Sequence, residues 1–167
     1  MTNGATPSAR LVSHGDVLQV AGAEIEALTP LAPADELPCV LRGTIPPGGF
    51  AALHSHPDPE TFVPVDPGLE GLTRYADGTA WVPLRPGDVF HVPGGVPHAF
   101  RNRTGRPVTT LIVTTTRLQR FFREVALPRG VATPAASEAV ATFAETACRY
   151  GHWLATPEEN AAIGLRV

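Results

Sequence analysis

The sequence predicts an all-β domain, a sandwich or barrel, with a helical extension at its C-terminal end. Three observations carry that expectation. Turn formers are frequent, with 18 prolines and 16 glycines among 167 residues, and they recur at short intervals from Pro30 to Pro107. Between them lie short runs rich in β-branched and aromatic residues: CVLRGTI, GLTRYA, TAWVPL, DVFHV, HAFRN and VTTLIVTTT. After Thr116 the apolar residues change from this short-run pattern to a helical period.

Composition bounds the function classes. Apolar residues make up 43% and charged residues 17%, which describes an ordinary globular chain long enough for one domain with a substantial core. The formal net charge is −3, so nothing points to a nucleic acid or an anionic membrane as partner. No apolar run approaches the roughly 18 residues of a membrane span. The stretch MTNGATPSAR lacks the pattern of a signal peptide, and Cys39 and Cys148 show no metal or redox spacing. Free thiols then fit a reducing cytoplasm, the expected location.

The elements follow in order. Residues 1–35 read as an N-terminal strand or arm, 36–117 as the β-barrel, and 118–167 as the helical extension. YADGTAW is the clearest hairpin, because Asp77-Gly78 suits the positive φ angles of a type I′ turn. RPGD and VPGG mark two further sharp turns. Leu118, Phe121, Phe122 and Val125 form one helix face, ended by Pro128 and Gly130. A second helix is expected to start at Thr133-Pro134, with threonine as cap and proline in the first position. Val140, Phe143 and Ala147 supply its buried stripe, and Gly151 stops it. Thr156-Pro157-Glu158-Glu159 has the spacing of a capping box and predicts a third, short helix.

The chemistry concentrates in GGFAALHSHPDPETFVPVDPG, residues 48–68, which spends two of the chain's 6 histidines one residue apart. On a strand, residues two apart point the same way, so His54 and His56 project together. Two neutral imidazoles side by side can bind one divalent metal. Pro57-Asp58-Pro59 sets a turn or bulge, after which Glu60 can return to the same face. A third imidazole, His98, follows the tight turn at Pro93-Gly94-Gly95.

These residues resemble the cupin superfamily, and in particular its small, single-domain, quercetinase-like members. The first cupin motif is a glycine, five residues, His-x-His, three or four residues, a glutamate, and six residues to a glycine. Gly48, His54, His56 and Glu60 fit it. The second motif is a glycine, five residues, Pro-x-Gly, two residues, a histidine, three residues and an asparagine. Gly87, Pro93, Gly95, His98 and Asn102 fit it without a gap. One departure stands out: seven residues, not six, separate Glu60 from Gly68, which bears on the strand register after Glu60 and on one pocket wall.

The resemblance implies a double-stranded β-helix, or jelly roll, with His54, His56, Glu60 and His98 around one divalent transition metal: Fe, Mn, Ni, Cu or Zn. Such a ligand set leaves one or two coordination positions open. A single carboxylate leaves about one positive charge, which attracts an enolate or other anionic oxygen. The resemblance further implies dioxygenase-type oxidation of a small enolic or aromatic molecule, with Glu60 as ligand and general base. A non-enzymatic binding cupin, or an isomerase, cyclase or lyase, is the alternative. Phe50, Phe62 and Phe100 share parity with the ligands and either line an apolar substrate pocket or pack the core. His91 is expected in a packed or hydrogen-bonded role, and Trp81 in the barrel or at an interface. His14 and His152 lie outside both motifs and read as surface or packing residues. Unpaired sheet edges favour a homodimer.

Overall fold

The computed structural model describes residues 11–12, 14–75, 78–127 and 136–166. Two antiparallel sheets face each other. The first has the order β1-β2-β3-β10-β5-β8 and comprises β1 (Asp16–Val20), β2 (Ala23–Ala27), β3 (Pro38–Ile45), β10 (Val108–Thr115), β5 (Glu60–Pro64) and β8 (Phe90–Val92). The second has the order β11-β4-β9-β6-β7. It comprises β11 (Trp153–Leu154), β4 (Phe50–Ser55), β9 (His98–Asn102), β6 (Leu69–Tyr75) and β7 (Gly78–Leu84). From β3 to β10 the chain crosses between the sheets at every connection but the β6–β7 hairpin, as in a jelly roll.

Alternation along β10 shows why these residues form a sandwich. Val108, Thr110, Ile112 and Thr114 are buried while Val113 is exposed, the period of two of a strand with one face in a core. Leu41, Phe62 and Ile112 of the first sheet meet Leu69, Leu84 and Phe100 of the second in one apolar cluster. The segment before residue 36 is part of this body, because β2 pairs with β3 and extends the first sheet.

The turns explain where the sequence pattern holds and where it shifts. The β6–β7 hairpin forms, but Tyr75 pairs with Gly78, so its connecting residues are 76 and 77 rather than Asp77-Gly78. Asp77 itself lies outside the described residues. RPGD closes through the Asp88 amide donating to the Arg85 carbonyl at 2.9 Å. The extra residue before Gly68 is absorbed in the β5–β6 turn, where Gly68 adopts φ +117°. Upstream of it the pairing of β5 with β10 and β8 runs without interruption. The departure from the motif therefore leaves the register around Glu60 intact.

The helical extension consists of α1 (Thr116–Val125), α2 (Ala136–Arg149) and α3 (Pro157–Ala162). Thr115 caps α1, accepting from the Leu118 amide, and Leu118 and Phe121 are buried beneath it. The Thr133-Pro134 start of the second helix, and Pro128 and Gly130, lie outside the described residues. Phe143 and Ala147 pack α2 against α1, but Val140 is 69% exposed, because it lies at the cavity lining and not in the cluster that joins the two helices. At its end the Gly151 amide donates to Cys148 and the His152 amide to Ala147, the paired bonds of a Schellman stop. The capping box of α3 forms as expected between Thr156 and Glu159. No helix among the described residues is long and apolar enough to cross a membrane. Both cysteines are free.

Candidate metal centre

The two motif loops bring the predicted ligands together. His54 in β4 lies directly opposite His98 in β9, with ring centroids 4.3 Å apart. Between Ala51 and His54 the β4–β9 ladder carries a bulge, which turns the end of β4 toward the site. His56 follows that end and Glu60 opens β5. Ligand atoms of His54, His56, Glu60 and His98 all lie within 4.8 Å of one another. His56, Glu60 and His98 are buried and His54 is half-buried.

Glycines allow the loops to meet. A side chain at Gly94 would lie 2.1 Å from the Pro57 carbonyl oxygen. Gly95 adopts φ +79° and donates its amide to the His56 carbonyl at 2.7 Å. Asn102, the last residue of the second motif, takes no part in the cluster. Its amide group donates to the carbonyls of Ile45, Pro46 and Arg106, and its oxygen accepts from Thr104, so it knots the loops below β4 and β9.

The donor set fits a metal ion on one decisive point. Each of the three imidazoles uses Nδ1 against a backbone carbonyl two residues away: His54 to Ala52 at 2.7 Å, His56 to Asp58 at 2.8 Å and His98 to Val96 at 2.8 Å. A carbonyl only accepts, so Nδ1 carries the proton and Nε2 keeps its lone pair in the neutral ring. Three such rings and an acceptor-only carboxylate converge with no buried cation to balance them. Glu60 Oε2 sits 3.2 Å from the Nε2 atoms of both His56 and His98.

Electrostatics agree with this reading. Burial alone would raise the Glu60 carboxyl, but the hydrogen bonds and charges of His56 and His98 outweigh it and hold the group well below the usual carboxylate range. Burial, reinforced by the neighbouring His98 and His56, pushes His54 down to about 3, so its ring is neutral at pH 7. Burial opposes charge on His56 as well, but Glu60 and the Asp58 carbonyl overcome it and raise the ring. A divalent ion at the point where the three Nε2 atoms and the carboxylate meet would supply the positive charge that balances Glu60.

Four residues outside the motif brace the loop that carries His56 and Glu60. Asp58, between the two prolines, is buried, and its carboxylate accepts from Thr115 Oγ1 and, at 2.9 Å, from Arg117 Nη1. Arg117 also donates to the Tyr150 carbonyl at the end of α2. Thr114 Oγ1 donates to the Pro59 carbonyl at 2.8 Å. The extension reaches the site a second way: β11 pairs with β4, placing Leu154 opposite His54. Nothing in the spacing of Arg117 announces this. The acid between two prolines was the available signal for Asp58.

Beside the cluster lies an apolar cavity of about 410 Å³. Phe50, Phe62 and Phe100 line it, and Phe62 and Phe100 also pack in the core with ring centroids 4.0 Å apart. Phe121 and Phe143 of the extension form a further wall, and His152 lines it too. His152 is therefore no surface residue: its ring lies 5.2 Å from His56 and 4.2 Å from Phe121. Burial, then the charge of His56, pushes it down to about 4. His91 instead bonds Thr61 at the surface at 2.9 Å, and His14 is exposed beside Glu26. Trp81 packs in the barrel, donating to the Ile163 carbonyl at 2.8 Å under the Arg101 guanidinium.

Fold and cluster together define a class. Residues 41–114 match the family model described as "Cupin domain" (Cupin_2), so the barrel is a cupin domain. Among solved structures it is similar to the polyketide cyclase RemF from Streptomyces resistomycificus, with 15% identity, 84% of this chain and 99% of that one covered, and a TM-score of 0.55. An RmlC-like cupin from Shewanella frigidimarina NCIMB 400 matches at 14% identity, over 70% of this chain and 96% of its own, with a TM-score of 0.53. The oxalate decarboxylase of Lactobacillus farciminis, in its formate complex, matches at 19% identity and TM-score 0.54 over 68% of this chain, which spans 34% of that protein's length. At these identities the likeness is one of fold. No curated protein matches the chain in sequence.

Proposed function

We propose that this cupin holds one divalent transition metal, Fe, Mn, Ni, Cu or Zn, on His54, His56, Glu60 and His98, and that it oxidises a small enolic or aromatic molecule as a dioxygenase. The observation that carries the reading is the pairing of a buried three-imidazole, one-carboxylate cluster with an apolar cavity of about 410 Å³ at its side. When bound, the metal supplies Lewis acidity that favours the deprotonated form of an enol or phenol. The chain supplies the rest. Phe50, Phe62 and Phe100 hold a flat apolar skeleton and exclude water. Glu60, ionised at neutral pH, accepts the hydroxyl proton as the substrate settles. The backbone bonds to the three Nδ1 atoms keep the imidazoles aimed while this happens.

The same constellation suits non-oxidative ring closure of an apolar, enolic chain. The polyketide cyclase whose fold spans 84% of this chain favours that second reading. One experiment tests both. Protein loaded separately with each of the five metals is incubated with flavonols and with linear enolic ketones, in air and under argon. Oxygen uptake matched to substrate loss supports the dioxygenase, and equal conversion under argon supports cyclisation. No conversion of any compound with any metal leaves a binding role.

A further inference from the structure

A second concave surface lies away from the metal cluster. It is a groove of about 530 Å³, and Phe50, Arg101, Arg103, Leu165 and Arg166 line it together with Gly48, Asn102 and Gly164. None of the four cluster residues does. β4 starts at Phe50 and reaches His54 four residues later, while β9 starts at His98 and ends at Asn102. At the rise of a strand the groove is about 13 Å from the imidazoles, at the other end of the same two strands.

Arg101 is held ready in this groove. Its Nε donates to Glu70 Oε2 at 2.6 Å, and its guanidinium lies 4.0 Å over the Trp81 ring. Trp81 is fixed in turn, donating to the Ile163 carbonyl next to Gly164. The Arg101 side chain is 17% exposed, yet its Nη1 and Nη2 bond to nothing among the described residues. Both remain open to solvent. Nη1 lies 3.9 Å from the place a Cβ on Gly164 would take, so it faces the groove. A clamped, planar guanidinium with two free donors matches two oxygens of an oxyanion. Asn102 offers nothing further, because its amide group already donates to the Ile45, Pro46 and Arg106 carbonyls.

Charge and shape narrow the ligand. Arg103 and Arg166 are exposed and have no acidic partner among the described residues. Glu70 balances one of the three arginines, which leaves two positive charges at the groove. A phosphate monoester carries about two negative charges near pH 7. Phe50 and Leu165 add an apolar wall. We infer that this groove binds a phosphate monoester with a small apolar body. Arg101 takes two phosphate oxygens through Nη1 and Nη2, Arg103 and Arg166 balance the charge, and Phe50 and Leu165 pack on the body. The inference is independent of the metal centre and of its chemistry.

The test is calorimetric titration of the full chain with phenyl phosphate and with inorganic phosphate. Wild type is compared with Arg101→Lys and with the double variant Arg103→Gln/Arg166→Gln. The two exposed arginines have no partner to lose, so the double variant keeps the wild-type urea midpoint. Its expected phenyl phosphate affinity is at least tenfold lower, the effect of two lost charge-assisted contacts in an open groove. Arg101→Lys keeps the charge and loses the fork, and a loss of about fivefold is expected. Phenyl phosphate binding severalfold tighter than inorganic phosphate supports the monoester, whereas equal affinity overturns it in favour of the free anion. Titrations of zinc-loaded and metal-free protein should agree. Binding that requires zinc would put the anion on the metal and overturn the inference. So would wild type that binds no phenyl phosphate, or a double variant that binds it as wild type does.

Discussion

The metal loops and the helical extension place functional groups by opposite means. In the loops, every ligand imidazole is oriented by a carbonyl two residues away, so a short stretch of chain carries both the ligand and its aim. In the extension, Arg117, His152 and Asn160 act on partners far along the chain: Asp58, the cavity beside His56, and the Leu53 amide. The first arrangement survives in any chain with the right spacing. The second exists only after the helices have docked. The comparison teaches that the barrel carries the candidate metal cluster, whereas the extension supports its rim and shapes the cavity.

The sharpest way to break this division is to remove a ligand. His98→Ala deletes one of three imidazoles, and the metal content measured after dialysis should fall from about one equivalent to a small fraction. A variant that keeps a full equivalent would move the centre elsewhere. Glu60→Gln tests the acid separately. It keeps the shape and loses the negative charge, and turnover of any identified substrate should fall at least 100-fold, as for loss of a general base. Metal retained with full turnover would reduce Glu60 to a bystander.

The extension is tested at Arg117. Arg117→Met leaves the Asp58 carboxylate buried with Thr115 as its remaining side-chain donor. Unfolding in urea should show a loss of roughly 2–3 kcal/mol, below the range for a fully buried pair because the arginine is partly solvated. Zinc affinity should weaken as well, through the loosened His56–Asp58 turn. A stability loss with unchanged zinc affinity would cut the link between the extension and the centre.

A smaller effect follows from acidity. His54 is held down to about 3 and His152 to about 4, both below the ordinary value near 6.5. Below pH 6.5 the unfolded chain therefore binds protons that the folded one refuses. The stability these groups contribute is complete above 6.5 and is lost as the pH falls through the folded values. His56, raised instead, opposes this slope around its unfolded value near 6.5, and its contribution is complete at lower pH. Metal-free protein should show a falling urea midpoint from pH 6.5 toward 4, and His152→Phe should flatten the slope by about one proton. An unchanged slope would show that His152 is not held neutral. The smallest effect belongs to Thr156→Ala, which removes the α3 cap for about 1 kcal/mol. Zinc content should not change, since this cap lies beyond the groups that touch the metal loop.

The chain alone determined the strand-rich sandwich, the helical ending and the four residues of the candidate metal cluster. Turn residues punctuate the strands, alternation selects a face, and the two motif spacings set His54, His56, Glu60 and His98 relative to their own loops. Each is a local rule, settled by the geometry of a few neighbouring residues. Tertiary structure decided what depends on distant partners. Gly78 pairs with Tyr75 in the strand instead of sitting in the turn, Val140 stays exposed, and the residue added before Gly68 vanishes into a turn. Above all, docking of the extension brings His152, which reads as a surface or packing histidine, to 5.2 Å from His56 between ring centroids. Spacing along the chain fixes direction over two or three residues. Only packing of one element on another can bring position 152 to within one ring of position 56.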